Sequence, residues 1–370
     1  MIAPDRPAAH KSWFRRASSI GLVLIAAALA FLAFLIWNGS RLLDAPLAAL
    51  AGDRMVPAHD ELFAADALRV FVCGSSSPLA TPDRAKTCIG VIANGRILLF
   101  DTGAGSMRNI ENWRLKPERI SHVFLTHFHS DHFADLDEVA VQSWIMGRSE
   151  PITVFGGEGV ERVVEGYNQA LALDAGYRNA YGTERFFPIA AATLRPHPIS
   201  PLPGRAVPVF REGKLVVSAF AVDHGIVKPA LGYEVRYGDR RIVISGDTRR
   251  NPGLETIAEQ TDVLFHEAYS GRLTEIIGKG ARQSGNARMQ YILGKAGDYH
   301  TPSEDFSELA GSTRARRVVM YHLAPPPDNF VMKRIFLSGM PDNVTLAEDG
   351  QLFTLRPGET GIDESWIAAP

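Results

Sequence analysis

The chain predicts an α/β fold of four layers, an αββα sandwich in which two β-sheets pack face to face with helices outside each, preceded by one transmembrane helix. Three observations carry that expectation. Two successive stretches hold short apolar strands between Gly- or Asp-marked turns, helical periodicity follows the strands of each, and one unbroken apolar run stands near the N-terminus.

The run Ile20 to Trp37 is aliphatic or aromatic apart from Gly21. As helix it spans roughly 27 Å, close to the hydrocarbon thickness of a bilayer. Arg6, Lys11, Arg15 and Arg16 precede it, against Arg41 and Arg54 after it. The positive-inside bias therefore sends the C-terminal side outward. The expected organisation is a basic cytoplasmic start (1–18), a transmembrane signal anchor (19–38), an Ala- and Pro-rich linker (39–66), one folded α/β domain (67–357) and a tail (358–370). No small-x-small site directly follows Trp37, and Ala49-Leu50-Ala51 lies late. An uncleaved, single-pass inner-membrane anchor with the domain facing the periplasm or exterior is thus preferred over secretion after cleavage.

Within the domain, strands are expected at Leu68–Val72, Cys88–Ala93, Arg96–Phe100, Ser121–Leu125 and Ile152–Phe155. Helical spacing appears between Ala134 and Met146 and again from Val160 to Leu171. Prolines 188, 196, 198, 201, 203 and 208 exclude a central strand or helix interior from Phe186 to Pro208, which reads as an excursion. The second half predicts strands Leu215–Val222, Leu231–Tyr237, Arg241–Ser245, Asp262–Phe265, Arg317–Tyr321 and Val344–Leu346. A helix is expected from Pro302 to about Ala310, with Thr301 as its cap and Glu304 at its third position.

Composition is ordinary for a globular chain, 46% hydrophobic and 22% charged, and the formal charge of -2 gives no global attraction to nucleic acid or an anionic membrane. The two cysteines, Cys73 and Cys88, stand at the ends of apolar strands; sequence leaves open whether they pair.

The chemistry concentrates in Thr126-His127-Phe128-His129-Ser130-Asp131-His132, directly after the apolar Val123-Phe124-Leu125. A chain leaving a buried strand can aim three imidazoles and a carboxylate at one point. Nitrogen and oxygen donors without thiolate favour zinc or another borderline divalent ion over calcium or magnesium. Two ions need more donors than one loop supplies. His224 after the strand ending at Val222, Asp247 within Ser245-Gly246-Asp247-Thr248, and His322 after Arg317–Tyr321 all stand at strand ends, where they converge on one sheet edge. Any one of them alone would pass as a turn residue or a half-buried histidine.

With these residues in place, the ordered set THFHSDH, DHGIVKPALGY, SGDT, FHEAY, DYHTP and VVMYHLAPPP resembles the metallo-β-lactamase superfamily, in the branch of tRNase Z and the metal-dependent arylsulfatases, over about residues 68 to 356. The resemblance implies two Zn2+ (Mn2+ or Fe2+ as alternatives), one held by His127, His129 and His224, the other by Asp131, His132 and His322, with Asp247 bridging. It implies that Asp101, in Leu99-Phe100-Asp101-Thr102-Gly103, orients a ligand through a hydrogen bond, and gives His266, Glu267 and Asp223 the same kind of supporting position. It makes His300 the group that protonates the leaving oxygen or stabilises the negative charge developing there, with Asp131 and Asp247 as proton acceptors. His10, His59, His122 and His197 receive no role.

The expected reaction is attack of a metal-bridged hydroxide on an anionic ester, arylsulfatase-like or phosphodiesterase-like. A tRNase Z-type endoribonuclease, a lactonase or thioesterase, and a non-catalytic metal-binding protein are the alternatives. Residues 151–214, where an RNA-gripping arm belongs in tRNase Z, hold seven Lys or Arg against six acids, a poor surface for a phosphate backbone. Expected partners are a small anionic ester, a membrane through the N-terminal helix, and a second copy in a homodimer, with nucleic acid disfavoured. Phe128, Phe133, Trp144, Tyr269 and Tyr299 are candidates to grip an apolar leaving group. Arg272, Lys279, Arg282 and Arg288, with one acid, Glu275, form either a solvated face or a cover for the cleft that holds an anionic headgroup.

Overall fold

Ala and Leu, the strongest helix formers, fill the segment after the apolar run, and they carry helix past the expected end of the anchor. A computed structural model describes residues 10–55 and 58–367. Its first helix, α1, runs His10–Met55 with Pro46 inside it, so the expected linker 39–66 is helical through Met55. Within Val23–Gly52 an 18-residue window reaches a mean hydropathy of 2.1 and none of it is buried; by length and composition this helix can cross a bilayer. Arg6 and the side chains of Lys11, Arg15 and Arg16 lie outside the described residues.

Residues 58–370 form a separate compact unit. After a short turn at Asp60–Phe63, its first half runs β1 (Leu68–Gly74), β2 (Cys88–Ala93), β3 (Arg96–Phe100), α2 (Ser106–Asn112), β4 (Ile120–Phe124), α3 (Leu136–Ile145), β5 (Ile152–Gly156), α4 (Val160–Phe186) and β6 (Leu194–Pro198). The second half runs β7 (Val207–Glu212), β8 (Leu215–Ala221), β9 (Leu231–Tyr237), β10 (Arg240–Ile244), α5 (Pro252–Ile257), β11 (Val263–Tyr269), α6 (Gly271–Gln283) and α7 (Ala287–Lys295). It continues through α8 (Phe306–Thr313), β12 (Arg317–Ala324), α9 (Phe330–Phe336), β13 (Val344–Leu346), β14 (Gln351–Leu355) and β15 (Asp363–Trp366). One sheet has the order β15-β14-β1-β2-β3-β4-β5-β6, the other β13-β12-β11-β10-β9-β8-β7.

Strands buried on both faces read as continuous apolar runs, and β1 shows why. Val70 and Val72 enter the core between the sheets, while Phe71 and Cys73 enter the core under α2, α3 and α4. A third core, with Leu254, Leu273, Phe306 and Phe336, sits under α5, α6, α8 and α9. These three cores make the four layers. All their members come from within residues 58–370, so that unit folds as a domain in its own right.

Three expectations need correction. The proline-rich excursion contains strands: Pro196 and Pro198 lie on β6 and Pro208 on β7, each the edge of its sheet, where a missing N–H breaks no ladder. The supposed tail 358–370 contributes β15, paired antiparallel with β14. Thr301 does not cap the helix that follows it. Its hydroxyl donates to the Thr248 carbonyl, the helix proper starts at Phe306, and Glu304 accepts instead from the backbone N–H of Gly271 and Arg272 at the start of α6. Cys73 and Cys88 form a disulfide between β1 and β2, with their Cα atoms 5.0 Å apart.

Candidate metal centre

Parallel strands end together, so residues just past them share one edge of the fold. β3 and β4 run parallel in the first sheet; β10, β11 and β12 run parallel in the second. Asp101 follows β3, the Thr126–His132 segment follows β4, Asp247 follows β10, Glu267 lies near the end of β11 and His322 near the end of β12. The loop after β8 brings His224 to the same place.

The seven expected ligands converge. Candidate ligand atoms of His127, His129, His224 and Asp247 lie within 4.8 Å of one another, as do those of Asp131, His132 and His322. Asp247 Oδ2 stands between the groups, 3.8 Å from Nε2 of both His127 and His224 and 3.3 Å from Nε2 of both His132 and His322. All are buried except His129, which is exposed and leaves that side open. His132 Nε2 and Asp247 Oδ1 are buried without a hydrogen-bond partner. Unpaired buried lone pairs are costly, and a convergent set of nitrogens and oxygens is what a divalent cation satisfies. The residues present fit a pair of such ions.

Electrostatics favour the ligating forms of His127, Asp131 and Asp247. The carboxylates of Asp247, Asp101 and Asp131, by contrast, overcome burial and lift His132 well above its usual range, so that its proton must leave when an ion binds. Burial, with His132 adding repulsion, holds His127 well below its usual range, hence neutral. Burial pushes the Asp131 carboxyl up, but His132 and His322 more than offset it and bring it to about 2. Burial likewise opposes ionisation of Asp247, and the imidazoles of His322 and His132 overcome it and keep it a carboxylate.

The supporting bonds are specific. Asp101 Oδ2 accepts from His132 Nδ1 at 2.8 Å and from the Thr126 hydroxyl, while its Oδ1 accepts from the Thr126 N–H. His224 Nδ1 donates to the Tyr299 carbonyl at 2.9 Å. Glu267 Oε1 accepts from the N–H groups of Thr248 and Thr301 and lies 3.2 Å from His300 Nδ1. Burial disfavours a charged His300, yet Glu267 lifts it to about 9. His300 Nδ1 also stands 4.0 Å from Asp247 Oδ2.

Two backbone features sharpen the edge. Asp101 and His322 adopt the left-handed region, φ 61° and 47°, which non-glycine residues enter at a cost. Gly246 does so at 62°, and a Cβ there would stand 2.3 Å from the Leu231 carbonyl oxygen, so only glycine fits between the strand and Asp247.

Some expected site residues fall elsewhere. His266 is fully buried but points away from the centre: side chains alternate along β11, so where Glu267 faces the ligands His266 packs on Phe306 and bonds the Glu267 carbonyl. Asp223 touches no ligand; it pairs with Arg249 and accepts from Gly225, bracing the loop that carries His224. Trp144 is core, against Phe187. Sequence reasoning missed the Thr126 hydroxyl and the Tyr299 carbonyl. Thr126 opens the histidine segment, a position whose hydroxyl could have been suspected; a backbone carbonyl leaves no trace in sequence.

The family model of the metallo-beta-lactamase superfamily matches residues 82–303. A ribonuclease Z of Mycolicibacterium paratuberculosis is 28% identical over 261 residues, covering 70% of this chain and 86% of the relative. In fold, the chain is similar to the short form of human tRNase Z (22% identity, 77% of this chain and 98% of that one, TM-score 0.55) and to a diphosphatase of the PhnP family (18% identity, 78% and 99%, TM-score 0.53). The relatives bear the ribonuclease Z name, which sequence analysis held as an alternative to an arylsulfatase-like or phosphodiesterase-like hydrolase, and none of these comparisons speaks for sulfate esters. With the family model spanning more than half of the chain, and a two-sheet fold that gathers histidines and aspartates at one edge, the chain belongs to the metallo-beta-lactamase superfamily.

Proposed function

We propose that the chain is a phosphodiesterase working with two divalent ions, zinc by donor chemistry, with manganese or iron as alternatives. The observation that carries the reading is Asp247, whose Oδ2 faces both histidine groups from between them, the place of a bridging ligand. His127, His129 and His224 would hold one ion; Asp131, His132 and His322 the other. Bound there, such ions lower the pKa of a water toward neutrality and draw charge from a substrate oxygen.

The chain's own contribution is positioning and proton transfer. Asp101 and the Tyr299 carbonyl fix the rings of His132 and His224. Glu267 takes the Nδ1 proton side of His300, which leaves Nε2 to protonate the departing oxygen. Either Asp131 or Asp247, both ionised, would take the one proton that the attacking water loses. The ribonuclease Z relatives break phosphodiester bonds, which supports phosphorus over sulfur as the reacting atom.

A second reading, processing of tRNA 3′ ends, is favoured by one observation: the ribonuclease Z match spans 86% of that relative. Weighing for a smaller substrate are the near-neutral 151–214 segment and the reading of α1 as an inner-membrane anchor that holds the domain outside the cytoplasm. The Cys73–Cys88 disulfide supports that location, since such bonds persist in oxidising compartments. Protease access to the domain in spheroplasts tests the topology.

The deciding experiment is a panel assay with zinc or manganese: aryl phosphodiesters, aryl sulfates, lactones and a tRNA precursor with a 3′ trailer. Diester turnover above sulfate turnover is expected. Faster sulfate hydrolysis would overturn the reading, and trailer cleavage far above every small diester would establish the second one.

A further inference from the structure

Between the residues of the centre stands a helical hairpin that the proposed chemistry does not use. α6 begins just beyond Tyr269 and α7 ends shortly before Asp298-Tyr299-His300. Each helix repeats one pattern along its outer side. Arg272, Ile276 and Lys279 on α6, and Arg288, Ile292 and Lys295 on α7, stand at the i, i+4, i+7 spacing that shares a helix face. Tyr291 joins the second set. Ile276, Tyr291 and Ile292 are 50%, 68% and 44% exposed, while Leu273 and Leu293 supply the buried side.

The charge is lopsided. From 271 to 298 there are five cations, Arg272, Lys279, Arg282, Arg288 and Lys295, against Glu275 and Asp298, in a chain of net charge -2. The two acids pair with the two lysines at exposed positions; among the described residues no carboxylate pairs with the three arginines. A solubilising face has no use for isoleucines between its cations. Aliphatic side chains rimmed by Arg and Lys are the chemistry of a helix lying at a lipid–water boundary.

We propose that the α6–α7 hairpin docks on an anionic lipid surface, its arginines and lysines on headgroup phosphates and Ile276, Tyr291 and Ile292 in the boundary layer. A single-stranded RNA surface would offer several exposed aromatic faces for base stacking, whereas the outer side of the hairpin carries one exposed tyrosine, Tyr291, between isoleucines, with Tyr269 and Tyr299 half-buried at its base. The docking depends neither on the hydrolytic reading nor on α1.

The test is vesicle flotation of the 58–370 domain, with near-ultraviolet circular dichroism confirming the fold of each variant. Vesicles with roughly a third phosphatidylglycerol should carry roughly ten-fold more protein than phosphatidylcholine alone, and raised salt should release it. The pair Arg288→Glu and Lys295→Glu should bring binding down to the neutral-vesicle level. Ile276→Ser with Ile292→Ser should lower it several-fold at unchanged charge. Ester turnover in solution stays as in the wild type, because none of these residues touches the centre. Equal binding to both vesicle types, folded variants that bind like the wild type, or retention by RNA without vesicle binding would overturn the proposal.

Discussion

Nδ1 of His132 and Oδ2 of Asp101 lie 2.8 Å apart, both side chains fully buried, across the ends of two adjacent parallel strands. The bond sets which nitrogen of His132 faces Asp247. Asp101→Ala should therefore weaken metal binding by about 10- to 100-fold with the protein still folded, read by metal titration against a chelator. Wild-type affinity in that variant would remove Asp101 from the centre.

Asp247 tests the pairing of the two ions. Asp247→Ala removes the one carboxylate shared by both histidine groups, and the expected result is loss of bound metal together with a fall in turnover of about 10³-fold or more. Elemental analysis of the purified variant decides: a full complement of two ions would show that Asp247 does not bridge.

His300 and Glu267 are expected to act as a unit. His300→Ala should lower kcat by about 10²-fold while leaving metal content unchanged, and Glu267→Gln should approach the same value. The double variant should then be little worse than either single one. Additive losses would mean that the 3.2 Å contact has no part in the reaction.

His122 offers a pH test away from the centre. Burial among Phe124, Phe155 and Phe210, aided by Arg96, depresses it from 6.5 to about 4. Below pH 6.5 the unfolded chain takes up this proton and the folded chain does not. The stability it contributes is thus complete above 6.5 and is lost as pH falls through about 4. With screening at a half-buried position, the loss is on the order of 2 kcal/mol. Urea unfolding at pH 7 and pH 4.5 should show a smaller acid loss in His122→Phe than in the wild type.

The Cys73–Cys88 bond closes a loop whose ends are 15 residues apart in sequence, for which chain entropy predicts about 3 kcal/mol. Replacing both cysteines by serine should lower the unfolding free energy by that order, with metal content retained. No change in the denaturation midpoint would argue that the loop is held by its other bonds, among them Asp349 to Ser75 and Ala85.

Much of the fold was legible because its strands are buried on both faces: β2, β3 and β9 stand where their apolar runs placed them. The convergence of these histidines and aspartates on one edge was legible for a related reason, since several such residues, each standing just past an apolar run, share the end of a sheet. Periodicity could not reveal that β6 and β7 tolerate prolines, because edge position is a property of the whole sheet. Nor could it separate the neighbours His266 and Glu267. Which of two successive side chains faces the site depends on strand register, and both are fully buried. α6 and α7 were read as a basic solvated face or a cleft cover without helical assignment, their glycines masking a repeat that becomes clear once the helices are seen.

The placement of those prolines reaches beyond the monomer. One margin of each sheet ends on a strand with gaps in its row of N–H donors, so an extended segment arriving from outside finds no continuous ladder to join there. Filament growth by strand stacking is disfavoured along those margins. A homodimer built by strand addition would have to use the opposite rims, β13 or β15.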